Sequence, residues 1–185
     1  MKRILLLALL AAGLASAAPA AVTAGLEVGY LTDNKDAIWS GRIGWQFAST
    51  VNLSHQVELE IGHTEHTEGL APGSPYHFKT KLMPVTLNYR AETSAADKLG
   101  FYFGAGVGQT RVSYRLPGAG VPNVWDSDNA FSYQAFGGVT YKLTANASLR
   151  AGVKYIHVGD ATVFSFAKVE VGDDLALTAG LDFKF

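Results

Sequence analysis

The stretch Leu175-Ala176-Leu177-Thr178-Ala179-Gly180-Leu181-Asp182-Phe183-Lys184-Phe185 decides the fold. Its odd positions are all apolar, while Thr178, Gly180, Asp182 and Lys184 occupy the even ones after Ala176. Successive side chains of a strand point to opposite faces, so this order writes one apolar and one polar face. The same period recurs back along the chain. Leu149, Ala151, Val153 and Tyr155 alternate with Ser148, Arg150, Gly152 and Lys154. Tyr133, Ala135, Val139 and Tyr141 alternate with Gln134, Gly138, Thr140 and Lys142. Phe101, Phe103, Ala105 and Val107 stand against Tyr102, Gly104, Gly106 and Gly108, and Met83, Val85, Leu87 and Tyr89 against Pro84, Thr86, Asn88 and Arg90. Val57, Leu59 and Ile61 face away from Gln56, Glu58, Glu60 and Gly62; Trp39, Ile43, Trp45 and Phe47 face away from Ser40, Arg42, Gly44 and Gln46. With a first strand near Ala24–Leu31, the pattern predicts about eight strands and no amphipathic helix.

The connections alternate in length. Ser49–Leu53, Glu92–Lys98 and Thr144–Ala147 are short or modest, whereas His66–His77, Leu116–Ala130 and Gly159–Asp173 are longer and carry most of the Pro and loop Gly. Thr32–Asp36 is short although it lies on the long-loop side. Tight turns inside and longer loops outside are the asymmetry of outer-membrane barrels.

The first residues read as a leader. Lys2 and Arg3 precede an apolar run from Ile4 to about Ala15, and Ala15-Ser16-Ala17 forms a small-residue cleavage pattern. About twelve apolar residues fall short of the roughly 20 that a spanning helix needs. The expected organisation is therefore a cleaved signal peptide over 1–17 and a single barrel domain over 18–185. Removing Lys2 and Arg3 from 15 basic residues leaves 13 against 16 acidic ones, a mature charge of −3. That charge, with no basic stripe, argues against nucleic acid as a partner. The absence of cysteine leaves no disulfide framework in an exported chain.

Alternation alone does not say which face meets water. A lipocalin-like secreted binder also has about eight strands, but with an apolar interior. Three features favour the membrane barrel. Gly44, Gly62, Gly104, Gly106, Gly108, Gly138, Gly152 and Gly180 sit on the charged face, where a crowded lumen needs small residues. Trp45, Phe47, Tyr89, Phe101, Tyr141, Phe183 and Phe185 cluster near the short-turn end of the apolar face, as an interfacial girdle would. The sequence ends within its last strand, where a lipocalin continues into a helix. The expected fold is thus all-β, a closed eight-stranded antiparallel up-and-down transmembrane β-barrel. Its lumen should hold Arg42, Glu58, Glu60, Arg90, Arg150, Lys154, Asp182 and Lys184 as structural charges. Hairpin register places Arg42 opposite Glu60 and predicts an ion pair there, within a wider network that leaves no porin-like channel. Pro84 should forfeit a ladder hydrogen bond or mark a bulge.

Several segments resemble a known family. Pro84-Val85-Thr86-Leu87-Asn88-Tyr89, Phe103-Gly104-Ala105-Gly106-Val107-Gly108 and Tyr133 to Tyr141 resemble strands four to six of the outer-membrane β-barrel domain family, the opacity-protein and OmpA-like small barrels. Leu177, Ala179, Leu181, Phe183 and Phe185 resemble the terminal strand that the barrel-assembly machinery reads. The resemblance implies an outer-membrane location, partners in outer-membrane lipid and that machinery, an inward-pointing N-terminus and exposed loops. It does not imply one function, since members include adhesins, envelope anchors and lipid-modifying enzymes. The periplasmic peptidoglycan-binding domain of the anchors does not follow the barrel in this sequence.

The chemical motifs are weak. Gly104, Gly106 and Gly108 are spaced by two within a strand and lack the turn and helix of a nucleotide loop. His63-Thr64-Glu65-His66 places His63 and Glu65 on one face but His66 on the other, and adding His55 and His77 yields no convergent metal set. His157 is similar in position to the histidine of PagL-type lipid A deacylases, but position 159 is Gly where their serine nucleophile stands. Asp160, Ser165 and Glu170 are the remaining candidates to complete such a site. No catalytic, cofactor or metal residue is therefore assigned. The expected function is a non-enzymatic outer-membrane protein whose loops contact surfaces or ligands. The alternatives are a lipid A-modifying hydrolase centred on His157, a lipocalin-like binder, or a narrow gated pore.

Overall fold

The computed structural model describes residues 21–49, 53–69, 77–95, 97–116, 124–163, 167–169 and 171–185. The leader expected over 1–17 and the candidates Ser165 and Glu170 lie outside them. The strands are β1 (Ala21–Leu31), β2 (Ala37–Ser49), β3 (Leu53–Gly69), β4 (His77–Ser94), β5 (Leu99–Leu116), β6 (Val124–Lys142), β7 (Ala147–Val158), β8 (Ala161–Val163), β9 (Ala167–Val169) and β10 (Gly172–Lys184). Eight of them close into a barrel in the order β1-β10-β7-β6-β5-β4-β3-β2, and β8 and β9 form a separate two-stranded sheet. Every barrel pairing is antiparallel, from β1 with β2 round to β1 with β10. Closure satisfies the edge groups that an open sheet would leave exposed to lipid.

Burial follows the alternation and fixes which face is outside. Leu26 is 70 % exposed, while the inward Arg42 is 4 % exposed. Trp39, Ile43, Leu59, Leu87, Phe103, Val107, Leu177 and Phe183 are outward and exposed, and buried positions alternate with them. This is the reverse of a lipocalin, whose ligand cavity is apolar. Trp45, Tyr89, Phe101, Tyr141 and Phe185 are exposed near the short-turn end as expected. Phe47 is only partly exposed, where a bulge between Gln46 and Ala48 interrupts the period.

The structure corrects several boundaries. β1 starts at Ala21, three residues before the expected Ala24. β3 runs on to Gly69 and β6 begins at Val124, so much of the segments expected as loops is paired strand. Above the lipid band the outward face meets water, so its apolar residues give way to polar ones while backbone pairing continues. The segment expected as a loop over Gly159–Asp173 contains the β8–β9 hairpin, and β10 begins inside it at Gly172.

Pro84 marks no bulge. The β3–β4 register runs to Ile61↔Val85 and resumes at Thr64↔Leu82 with the same offset. The ladder skips Gly62 and His63, and the proline ring lies over Gly62, where a Cβ would come within 2.9 Å of its Cγ.

The interior is layered. Toward the first turn, Leu31, Ile38, Val112, Ala130, Ile156 and Val158 form an apolar layer backed by Leu82, Tyr114 and Val171. Below it lies a layer of charge. At the short-turn mouth a polar cavity of about 450 Å³ is lined by Gln46, Gln56, Arg90, Glu92, Ser148 and Asp182 among others.

Candidate functional site

Three polar groupings are candidates for function: the lumen charges, a cluster at His157, and the wall above the lipid band.

The lumen is organised around Glu27, which sequence reasoning missed. Its carboxylate accepts from Arg42 Nη1 at 2.7 Å, Arg150 Nη2 at 2.7 Å and Lys154 Nζ at 2.5 Å. The signal was present in β1, where Gly25, Glu27 and Gly29 alternate with Leu26, Val28 and Tyr30. Asp182 accepts from Arg42 Nη2 at 2.8 Å and Arg90 Nη1 at 3.2 Å. Arg90 also donates to Glu58 at 2.9 Å and to Glu92. Four buried cations (Arg42, Arg90, Arg150 and Lys154) face four buried carboxylates (Glu27, Glu58, Glu60 and Asp182), so the core of the network is neutral. Buried charges persist only when paired and hydrogen-bonded in this way.

Two sequence expectations are corrected. Arg42 does stand opposite Glu60 in the register, but the two do not pair. Gly25 lies between Arg42 and Asp182 in one cross-strand row. A Cβ on Gly25 would overlap Asp182 Oδ1 and come 2.9 Å from Arg42 Nη2. The gap over that glycine lets the guanidinium fork reach Asp182 and Glu27 instead. Glu60 is taken by Lys154 Nζ at 2.6 Å, with Asn88 and Gln134 each donating at 3.0 Å. Lys184 is exposed at the short-turn mouth, outside the network.

Glycine serves a second row. Tyr102, Gly138, Gly152 and Thr178 are successive cross-strand neighbours. Tyr102 lies across both glycines to reach Thr178, and its ring carries the Arg150 guanidinium at 4.7 Å and that of Arg90 at 5.5 Å. The cation–π contacts brace two arginines that otherwise depend on carboxylates alone.

At the outer end of the lipid-facing surface, His157 is not isolated. Register sets it opposite both Tyr133 and Asp173. Its Nδ1 contacts the Asp173 carboxylate, and its ring stacks on Tyr133 with centroids 4.5 Å apart. Tyr155 hydrogen-bonds to Asp173 and Tyr133. The acidic partner is thus Asp173; Asp160 is exposed, and Glu170 lies outside the described residues. A histidine oriented by a carboxylate is half of a nucleophilic arrangement. The hydroxyl half is missing at Gly159.

Among the described side chains the other histidines do not converge. His63 lies 3.6 Å from Glu65, His66 pairs with Asp36, and His55 bonds to Tyr89 across β3 and β4 at 2.6 Å. The side chain of His77 lies outside the described ones. Among the described residues no three His, Cys, Asp or Glu side chains stand close enough to hold a metal. Gly104, Gly106 and Gly108 line one strand of the lumen, and Asn88 Oδ1 accepts from Gln134 across the space over Gly106.

A family model for the outer membrane protein beta-barrel domain matches residues 4–185. The chain belongs to that family. Its location is accordingly the outer membrane, with short turns toward the periplasm and long strands toward the outside. No curated protein matches the sequence. Among solved structures, Neisserial surface protein A is 21 % identical, with 92 % of this chain and 99 % of that one aligned at a TM-score of 0.51. A major outer membrane protein from Thermus thermophilus is 12 % identical over 91 % and 100 % of the two chains, at 0.60. The attachment invasion locus protein Ail of Yersinia pestis, solved with the heparin analogue sucrose octasulfate, is 11 % identical over 90 % and 97 %, at 0.53. These likenesses concern the fold alone.

Proposed function

We propose that this family member is a non-enzymatic surface protein whose outer wall presents a binding face to the extracellular medium. The asymmetry of the strands carries the reading. β3, β4, β5 and β6 hold 17, 18, 18 and 19 residues, against 11, 13, 12 and 13 in β1, β2, β7 and β10. About 9–11 residues cross the lipid. The excess of about six residues raises those four strands by roughly 20 Å along their length. The outward side chains described on the raised part are polar, among them Glu65, Thr67, Ser127 and Asn129, so it stands in water rather than lipid. A wall of paired strands on a closed barrel holds its tips rigidly, which suits recognition.

The test is to display the chain on cells that lack it and measure adhesion to immobilised glycans and matrix proteins. A variant with the four strands shortened to the length of their neighbours serves as comparison. Adhesion conferred by the full chain and lost in the shortened, still folded variant supports the reading. Adhesion equal in both, or in neither, contradicts it.

The His157 cluster favours a second reading, a hydrolase acting on lipid at the outer leaflet. The Asp173 carboxylate orients the imidazole, which could then take a proton from water in place of a serine. Fatty acid release from lipid A by the purified chain, abolished by His157→Ala, would support it. No release from the wild type would remove it.

Export through cleavage after Ala17 and recognition of Leu177, Ala179, Leu181, Phe183 and Phe185 by the assembly machinery belong to the same proposal. Leu177, Ala179, Leu181 and Phe183 are outward on β10 and Phe185 just beyond it is exposed, where a partner can read them. N-terminal sequencing of the membrane form should begin at Ala18, and a different first residue would move the boundary.

A further inference from the structure

The outward face of β4 and β5 changes character above the lipid band. Val85, Leu87 and Val107 are apolar, and Met83 is the last apolar residue on the outward face of β4. The next outward positions are Lys81 and Lys79 on β4, and Arg111, Ser113 and Arg115 on β5 beyond Gln109. Register gathers them: Met83 is opposite Arg111, Lys81 opposite Ser113, and Lys79 opposite Arg115. Thr110 and Val112 are buried in the lumen, so these alternate residues point away from it. Both lysines contact the Glu65 carboxylate of β3, Lys81 at 2.9 Å. Arg111 Nη2 donates to Ser127 at 3.2 Å.

The patch is local. The outward residues near the same edge on β6, β7 and β10 are Asn129, His157 and Asp173. The whole chain carries a formal charge of −1, so the cluster does not reflect a generally basic protein.

We propose that this face binds the phosphate groups of the outer-leaflet glycolipid. The four cations continue the lipid-facing surface of two strands upward, at the level where headgroup phosphates lie above acyl chains. Arginine offers a planar fork and lysine a mobile point charge, and both pair strongly with phosphate. The acyl chains of the same lipid rest on Met83, Val85, Leu87 and Val107 below. A lipid held this way tethers one side of the barrel beneath its raised wall. The inference rests on the outer-membrane location and stands apart from the adhesion reading.

The experiment is native mass spectrometry of the purified full chain in detergent, offered bis-phosphorylated lipid A or the same lipid stripped of phosphate. The wild type should retain the phosphorylated lipid, and retention should fall as salt screens the charges. Replacing the cluster together (Lys79→Gln, Lys81→Gln, Arg111→Gln and Arg115→Gln) should weaken retention about tenfold or more, with Lys142→Gln and Lys184→Gln at the opposite end as the control. Boiling-dependent gel mobility reports whether the variant folds; the comparison of the two lipids on the wild type needs no variant. Equal retention of both lipids overturns the proposal, as does unchanged retention by the folded variant. Binding of heparin with neither lipid retained overturns it in favour of a glycan site.

Discussion

Gly25 and Glu27 show how two adjacent inward positions set the lumen. Gly25→Ala puts a methyl group where Arg42 and Asp182 meet, and the guanidinium has no second route to that carboxylate. Glu27→Ala removes the acceptor of three cations at once. Breaking a buried pair by deleting one partner costs about 3–5 kcal/mol, so Glu27→Ala should lower the temperature at which the folded band disappears on a gel. Gly25→Ala should lower it less. An unchanged transition for Glu27→Ala would show that the network contributes nothing to stability. Glu65 supplies a pH test outside the membrane. Hydrogen bonds from Lys79 and Lys81 hold its carboxyl down to about 2. A depressed value means that the pairing contributes above the ordinary glutamate range and is lost only as pH falls toward 2. A carbon-detected titration should place the Glu65 midpoint near 2, and a midpoint near an ordinary 4 would show the pairs to be absent in solution. At this scale the sequence was only partly legible. The inward parity of Arg42, Glu58, Glu60, Arg90, Arg150, Lys154 and Asp182 could be read from alternation. Their partners could not, because pairing depends on which inward neighbours are glycine and on rows that cross three strands.

Between residue and barrel, one carboxylate braces the β8–β9 hairpin and another the first turn. Thr162 donates its backbone N–H to Asp128 Oδ2 at 2.7 Å, and this bond with that from the Asn129 N–H keeps the Asp128 carboxyl below its usual range. Asp128→Ala should free the hairpin without opening the barrel. Limited proteolysis is then expected to cut within 159–171 faster than in the wild type, with the barrel core intact. Equal cleavage rates would mean that Asp128 does not anchor the hairpin. The first turn is pinned in the same manner, since the Asp174 carboxylate accepts from the backbone N–H groups of Asp33 and Asn34 and from Asn34 Nδ2. Lys35 in that turn takes a positive φ of 58°. Strand existence was legible wherever one face met lipid. The extensions of β3 and β6 were not, because residues such as Glu65, Thr67, Ser127 and Asn129 carry no apolar rhythm. Asp173 escaped notice for a related reason: its position opposite His157 depends on where β10 begins, and the long connection before it hides that register.

For the molecule as a whole, the two faces of one closed sheet do opposite work. The outer face offers an apolar band to lipid. The inner face is filled by a neutral charge network below and an apolar layer above. The fold followed from period-two alternation, strand number and loop asymmetry, all of which are properties of the chain. Function was far less legible, because the raised wall and the cationic face depend on strand lengths and registers that polar segments do not encode. The absence of cysteine gives an unobstructed background for the most direct test of the inside-out arrangement. Single cysteines would be placed at Leu26, Leu87, Val107 and Leu177, spin-labelled, and the chain reconstituted in bilayers. The structure predicts labels accessible to oxygen dissolved in the lipid and shielded from a water-soluble relaxation agent. Accessibility to the water-soluble agent at all four positions would contradict it and place the apolar face away from the membrane.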